Sequence, residues 1–315
     1  MRTLPVAIIF HRRPELVRLL MERIRPYQPA EILFVADGPA KAEDQSLCRE
    51  ARQFAEQAVD WPARVRKNYS HANLGLRRRL ETGLDWIFSE VPFAIILEED
   101  CLPRPDFFPF VEAMEKKYSA EPQVGAISGN CFLPAHFPLA ESYFFSRYPH
   151  IWGWATWARV WKFYDRENRL WPRIGGARSF WPEMSRRENS YWQTIFDRVY
   201  HGQLETWDYR WLLGVWSGPF LSITPCQNLV DNAGFGPGAT NTHDAEVNVG
   251  ADRNERLRFP LQAPPAVKRN EMADRAVFRN HYLRMEGKLP FWSRWLRSFG
   301  KRFPHRRRTG GEGDA

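Results

Sequence analysis

Cysteine is scarce in this chain of 315 residues: Cys48, Cys101, Cys131 and Cys226 are far apart, and no pair has Cys-Xaa-Xaa-Cys spacing. That excludes a zinc ribbon and a disulfide-stapled scaffold, and free thiols in a reducing compartment are expected. Long apolar runs are also missing. The opening stretch from Met1 to Phe10 is too short to read as a signal peptide, and no later run reaches the roughly 20 residues of a bilayer span. The expectation is a soluble or peripheral protein, cytoplasmic or held on the inner face of the cell membrane. There is no internal repeat and no clear linker, and nothing resembles a zinc finger or an RNA-recognition motif. No nucleic-acid partner is therefore expected despite a formal charge of +8.

What is abundant is apolar and aromatic surface, at 43% and 15% of residues, enough for a large core in one domain or two intimate ones. The basic excess is uneven. Much of it lies in Arg294, Arg297, Lys301, Arg302 and Arg306-Arg307-Arg308, interleaved with Phe291, Trp292, Trp295, Leu296 and Phe299 at helical spacing. That is the composition of a helix lying in a membrane interface, so an anionic membrane surface is a candidate partner.

The first part alternates short apolar runs with helical patterns, as a parallel sheet requires. Strands are expected at Pro5 to Phe10, Glu31 to Ala36, the run Phe93-Ala94-Ile95-Ile96, Val124 to Ser128 and Phe220 to Thr224. Pro14 is placed to open a helix with Leu16, Val17, Leu19, Leu20 and Ile24 on one side. A second helix runs from Leu76 to Phe88, and Asp106 can cap a third. Beyond about Gly129 aromatics cluster without period, densest in His150 to Trp157 and Trp207 to Trp211. The expected division is 1–130 for a nucleotide-sugar-binding part, 131–265 for an acceptor or catalytic part, and 266–315 for a basic amphipathic extension.

The buried strand at Ile95 leads straight into Leu97-Glu98-Glu99-Asp100. Three consecutive carboxylates at a strand's carboxyl end stand where open α/β sheets place their ligands. A divalent cation relieves such repulsion most easily, and Mg²⁺-like ions use one or two protein carboxylates while leaving positions for phosphates. The plain alternative is a solvated acidic turn before Pro103 and Pro105.

The order strand, Asp37-Gly38, helix, strand, then Ile96-Leu97-Glu98-Glu99-Asp100 followed by Pro105-Asp106-Phe107-Phe108, resembles the GT-A glycosyltransferases. It is most similar to bacterial nucleotide-sugar transferases distantly related to N-acetylglucosaminyltransferase I. Trp152-Gly153-Trp154-Ala155-Thr156-Trp157 and Asn232-Ala233-Gly234-Phe235-Gly236 also resemble that group, so the likeness covers about Pro5 to His243. It implies a Rossmann-like α/β fold with a mixed sheet. It further implies a metal-dependent, inverting transfer from a nucleotide-diphosphate sugar, UDP-linked, to a glycan or lipid-linked acceptor in surface-polysaccharide synthesis.

Residue by residue, the resemblance implies that Asp100 holds Mn²⁺ or Mg²⁺ while Glu98 and Glu99 face ribose or donor sugar. Asp37 takes the position that contacts the uracil edge, and Arg12 and Arg13 that of nucleotide-binding residues after the first strand. Arg77, Arg78 and Arg79 open a helix where cations oppose the macrodipole. A diphosphate would compensate, with one or two of the three reaching it. Asp208, in a Trp-Asp pair, is the candidate base, and Asp165, Asp197 and Glu205 are its competitors. His243 is a candidate further metal ligand, although the His of the bacterial group directly follows Ala-Thr and here Asn241 and Thr242 intervene. His11, His71 and His150 read as structural. Trp154 and Trp161 are expected in the core, with Trp152, Trp207 or Trp211 bordering the acceptor cleft. The alternatives are a sugar-nucleotide pyrophosphorylase and a carbohydrate-binding protein with a structural triplet. The first would usually carry a Gly-rich phosphate loop after the first strand, where this chain has His11-Arg12-Arg13-Pro14.

Overall fold

The computed structural model describes residues 3–234 and 253–284, so His243 and the aromatic-basic segment beyond residue 284 lie outside the described residues. The chain begins β1 (Val6–Phe10), α1 (Pro14–Ile24), β2 (Glu31–Ala36), α2 (Asp44–Gln57), β3 (Arg64–Tyr69), α3 (Leu76–Glu90) and β4 (Phe93–Glu98). It continues with β5 (Cys101–Pro103), α4 (Phe107–Tyr118), β6 (Val124–Ser128), β7 (Tyr143–Ser146), β8 (Trp154–Trp157) and α5 (Ala158–Trp161). Then come α6 (Arg186–Tyr200), α7 (Asp208–Ser217), β9 (Leu221–Pro225), β10 (Val230–Asn232) and α8 (Glu271–Val277), which runs into a π-turn over Phe278–Tyr282.

Eight strands form one mixed sheet in the order β3-β2-β1-β4-β8-β6-β9-β7. This is a Rossmann-like α/β architecture, as the alternating pattern requires. β1, β2 and β4 are buried almost throughout because helices cover both faces of a parallel sheet. α1 starts at Pro14 and buries Val17, Leu20, Met21 and Ile24, whereas Leu19 turns outward.

Two readings of the pattern needed the structure. Arg64–Tyr69, too charged to read as a strand, is the sheet edge, where basic side chains deter pairing with another chain. Trp154–Trp157 is no loop cluster but a central strand, antiparallel to both β4 and β6, with Trp154 opposite Ile96 and Ser128. Because β8 opposes both, β4 and β6 run the same way, and β9 is parallel to β6. The carboxyl ends of β1, β4 and β6 therefore open on one edge.

The second half packs as aromatic core. Trp154 stacks on Trp207 at 6.0 Å and lies 5.2 Å from Trp211, and Trp161 lies 5.6 Å from Trp211. Trp154 and Trp161 are buried as expected, and Trp207 and Trp211 are buried as well. Trp152 alone of the three is partly exposed. Asp106 also departs from expectation: its side chain does not cap α4, and Oδ2 instead accepts from the Leu257 amide at 3.0 Å.

Candidate active site

The site begins where β1 and β4 end side by side. Ile9 is opposite Glu98, and the Glu99 amide donates to the Ile9 carbonyl at 3.0 Å, so the turn His11-Arg12-Arg13 lies against the acidic triplet. Arg13 spans two of the three acids, with Nε 2.5 Å from Glu99 Oε1 and Nη2 2.9 Å from Asp100 Oδ2. The His11 amide takes the other Glu99 oxygen at 2.8 Å. Glu99 is thus buried and fully engaged; burial pushes its carboxyl up, and Arg13 and the His11 amide pull it back.

The Glu98 side chain has no hydrogen bond or ion pair to a described residue. Burial, then Asp100, Glu99 and Asp208, push its carboxyl well above the ordinary range, with Arg13 opposing. This places the Asp208 charge within reach of the triplet, across 110 residues of sequence. Asp208 is the first residue of α7, its Oδ1 accepting from the Tyr209 amide at 2.9 Å, and burial pushes it up to about 6.

The competing carboxylates have other work. Asp165 accepts from the Leu170 amide at 2.7 Å and Asp197 from Trp171 Nε1 at 2.7 Å, while Glu205 pairs with Arg77 Nε at 2.5 Å. Each is engaged by another residue of the chain.

Asp37 is also heavily used. Its Oδ1 accepts from the Gly38 and Leu74 amides at 2.8 and 2.9 Å, and its Oδ2 from Asn73 Nδ2 and the Gly75 amide, both at 3.1 Å. Here it shapes the loop entering α3. Gly38 is required beside it, because a Cβ there would stand 2.5 Å from the Ala72 carbonyl carbon.

The basic residues divide differently from expectation. Arg12 turns away from the triplet and pairs with Asp44 on α2, leaving Arg13 as its counterion. At the start of α3, Arg77 meets Glu81 at 3.1 Å as well as Glu205, and Arg79 is buried with Nη2 2.9 Å from Asn68 Oδ1. Protein carboxylates and an amide therefore answer two of the three cations, so their presence calls for no diphosphate. Only Arg78 of the three is exposed.

The ribbon of β10 on β5 closes the site. Asn232 pairs with Cys101, and the Ala233 amide donates to the Asp100 carbonyl at 2.8 Å. Gly234 then passes so close that a Cβ would lie 2.4 Å from Asp100 Oδ2. The resemblance had marked Asn232-Ala233-Gly234, and the physical reason is this approach to the acid.

Among the described residues no group of three or more His, Cys, Asp or Glu side chains is arranged to hold a metal ion. The donor set is smaller. Asp100 Oδ1 has only the weak Cys101 thiol at 3.8 Å, and the Glu98 carboxyl, offset only by the nearby charge of Arg13, lies in its electrostatic reach. Two clustered carboxylates suit a hard cation that completes its shell with water and substrate phosphate, not one in an all-protein cage.

No family model matches this chain, and no curated protein does. Solved structures are similar to it at low identity. One is a 4-diphosphocytidyl-2C-methyl-D-erythritol synthase from Anaerococcus prevotii, 7% identical, covering 73% of this chain and 93% of that one with a TM-score of 0.37. Another, from Bacillus anthracis and described as a glucose-1-phosphate thymidylyltransferase, is 12% identical, with 78% and 94% covered and a TM-score of 0.40. A UDP-glucose pyrophosphorylase bound to UDP-glucose is 9% identical, with 50% and 78% covered and a TM-score of 0.29. Likeness this distant carries no assignment of activity, which must be argued from the site.

Proposed function

We propose that this chain is an inverting glycosyltransferase that moves a sugar from a nucleotide diphosphate, UDP-linked, to a hydroxyl of a glycan or lipid-linked acceptor in surface-polysaccharide synthesis. The observation that supports it is that the charge of Asp208, at the start of α7, is felt at Glu98 on the carboxyl edge of the sheet. Inverting transfer needs two separated functions, a base for the acceptor hydroxyl and a charged platform for the leaving diphosphate. Asp208 would take the proton as the hydroxyl oxygen attacks the anomeric carbon, while the bond from that carbon to the diphosphate oxygen breaks. A carboxyl raised to about 6 is a stronger base than an ordinary aspartate and is still ionised at neutral pH. Asp100, with Glu98 beside it, would hold Mn²⁺ or Mg²⁺, whose charge offsets that growing on the leaving diphosphate.

Arg13 sets a further expectation. Its guanidinium already neutralises Asp100, so it competes with a cation for the same oxygen. Arg13→Gln should bind Mn²⁺ alone about tenfold more tightly by calorimetry, the order expected from removing one nearby like charge. Unchanged or weaker Mn²⁺ binding would mean Asp100 is not the ligand.

The reading is tested with a panel of nucleotide sugars, scored for Mn²⁺-dependent thermal stabilisation and then for slow hydrolysis. A ligand at about a hundred times its Kd stabilises by roughly 2.7 kcal/mol, a clear shift in melting temperature. The same protein is given nucleoside triphosphate with sugar 1-phosphate. Pyrophosphate release there, with no nucleotide-sugar hydrolysis, would establish the pyrophosphorylase instead.

A further inference from the structure

The loop leaving β6 on the carboxyl edge and the helix α8, which packs on β7, build a second surface apart from the triplet. The loop stays on that edge because it joins the end of β6 to the start of β7, where Tyr143 is opposite Pro225. Between loop and helix lies a groove of about 570 Å³ lined by Phe137, His136, Met272, Arg275, Arg279 and Arg284, among others. Its chemistry is mixed in one particular way. The three arginines are exposed, and the one ion pair among them to a described residue is a marginal contact of Arg275 with Glu271 at 3.4 Å. Met272 is 68% exposed, the largest exposure of any bulky apolar side chain described.

This face is held rigidly. Asp274, on the inner side of α8, is fully buried and accepts from Ser146 Oγ at 2.6 Å and Arg269 Nη1 at 3.1 Å. Asn280 Nδ2 donates to the Phe132 carbonyl at 3.0 Å, and His281 stacks on the Phe132 ring at 3.7 Å. With the inner face occupied by these contacts, Arg275 and Arg279, four residues apart, stay exposed on the outer side.

We propose that this groove is a docking face for an anionic phospholipid bilayer, with Arg275, Arg279 and Arg284 toward headgroup phosphates and Met272 at the acyl boundary. A cluster of cations beside an exposed apolar side chain fits a surface that is charged outside and apolar beneath. Small soluble anions would use the arginines but gain nothing from the methionine. The chain continues from Arg284 into the sequence carrying Trp292, Arg294, Trp295 and Arg297, so the basic and aromatic character carries on in the sequence where the groove ends. The inference does not depend on the reaction proposed above, because it is read without donor or acceptor.

The test is co-flotation of the full-length protein with vesicles of phosphatidylcholine alone or with a quarter phosphatidylglycerol, at low and high salt. Binding is expected only to the anionic vesicles and to fall with salt. Reversing three charges in Arg275→Glu/Arg279→Glu/Arg284→Glu should weaken it about a hundredfold, and Met272→Ser should weaken it severalfold while leaving salt dependence unchanged. Melting temperature and nucleotide binding should stay at the parent values. Undiminished flotation of the triple variant would overturn the proposal by placing the contact elsewhere in the chain. Equal binding to neutral vesicles, competition by inorganic phosphate at millimolar concentration, or loss of a dimer on gel filtration in the triple variant would each overturn it too.

Discussion

Asp208→Asn should lower turnover by roughly 10²-fold or more, the usual scale for losing a general base, while leaving nucleotide-sugar binding at the parent level. The residue stands at the start of α7 with its charge felt at Glu98, and its competitors Asp165, Asp197 and Glu205 are engaged by Leu170, Trp171 and Arg77. Parent activity should fall as pH drops through about 6, where Asp208 takes up its proton. Stability should behave oppositely. A carboxyl whose folded pKa is raised is protonated more readily in the folded state, so its charge costs stability above about pH 6, and that cost fades as pH falls toward its unfolded value. The amide variant escapes the cost and should melt no earlier than the parent at pH 8. Early melting with proportionate loss of donor binding would make Asp208 a core residue.

Asp100→Ala should abolish metal-dependent stabilisation by nucleotide sugar and reduce transfer by on the order of 10²-fold or more, since a cation at the leaving group contributes several kcal/mol to the transition state. EDTA on the parent should reproduce both effects. The fold should survive, because the β5–β10 ribbon uses the Asp100 backbone carbonyl and not its carboxylate. Arg13 keeps Glu99 as a partner in the variant. Full turnover by Asp100→Ala in metal-free buffer would show that the triplet is structural.

Much of the first half was legible because its signals are local. Pro14 opens its helix and Glu31–Ala36 is a strand to the residue, since buried parallel strands are continuous apolar runs. β3 was not legible, because an edge strand carrying Arg64, Arg66 and Lys67 reads as solvent-facing chain. Nor was β8, since its neighbours in the sheet, not its own pattern, make Trp154–Trp157 a strand. The Trp clusters suggested a sugar platform, yet Trp211 is fully buried. Composition cannot tell a ring packed against another ring from one waiting for a pyranose.

The sequence alone determined the alternation of strands and helices, the position of Glu98-Glu99-Asp100 at the end of a buried strand, and the set of carboxylates from which a base could come. These are set by periodicity and by neighbours in the chain. Tertiary structure decided that Arg13 and not Arg12 meets the triplet, because adjacent residues of a turn point apart and only the packing of β1 on β4 chooses between them. It also decided that the charge of Asp208 is felt at Glu98 while Glu205 holds Arg77. Those pairings join residues more than a hundred positions apart. Their energy depends on distance and burial, which the order of residues does not contain until the sheet is assembled.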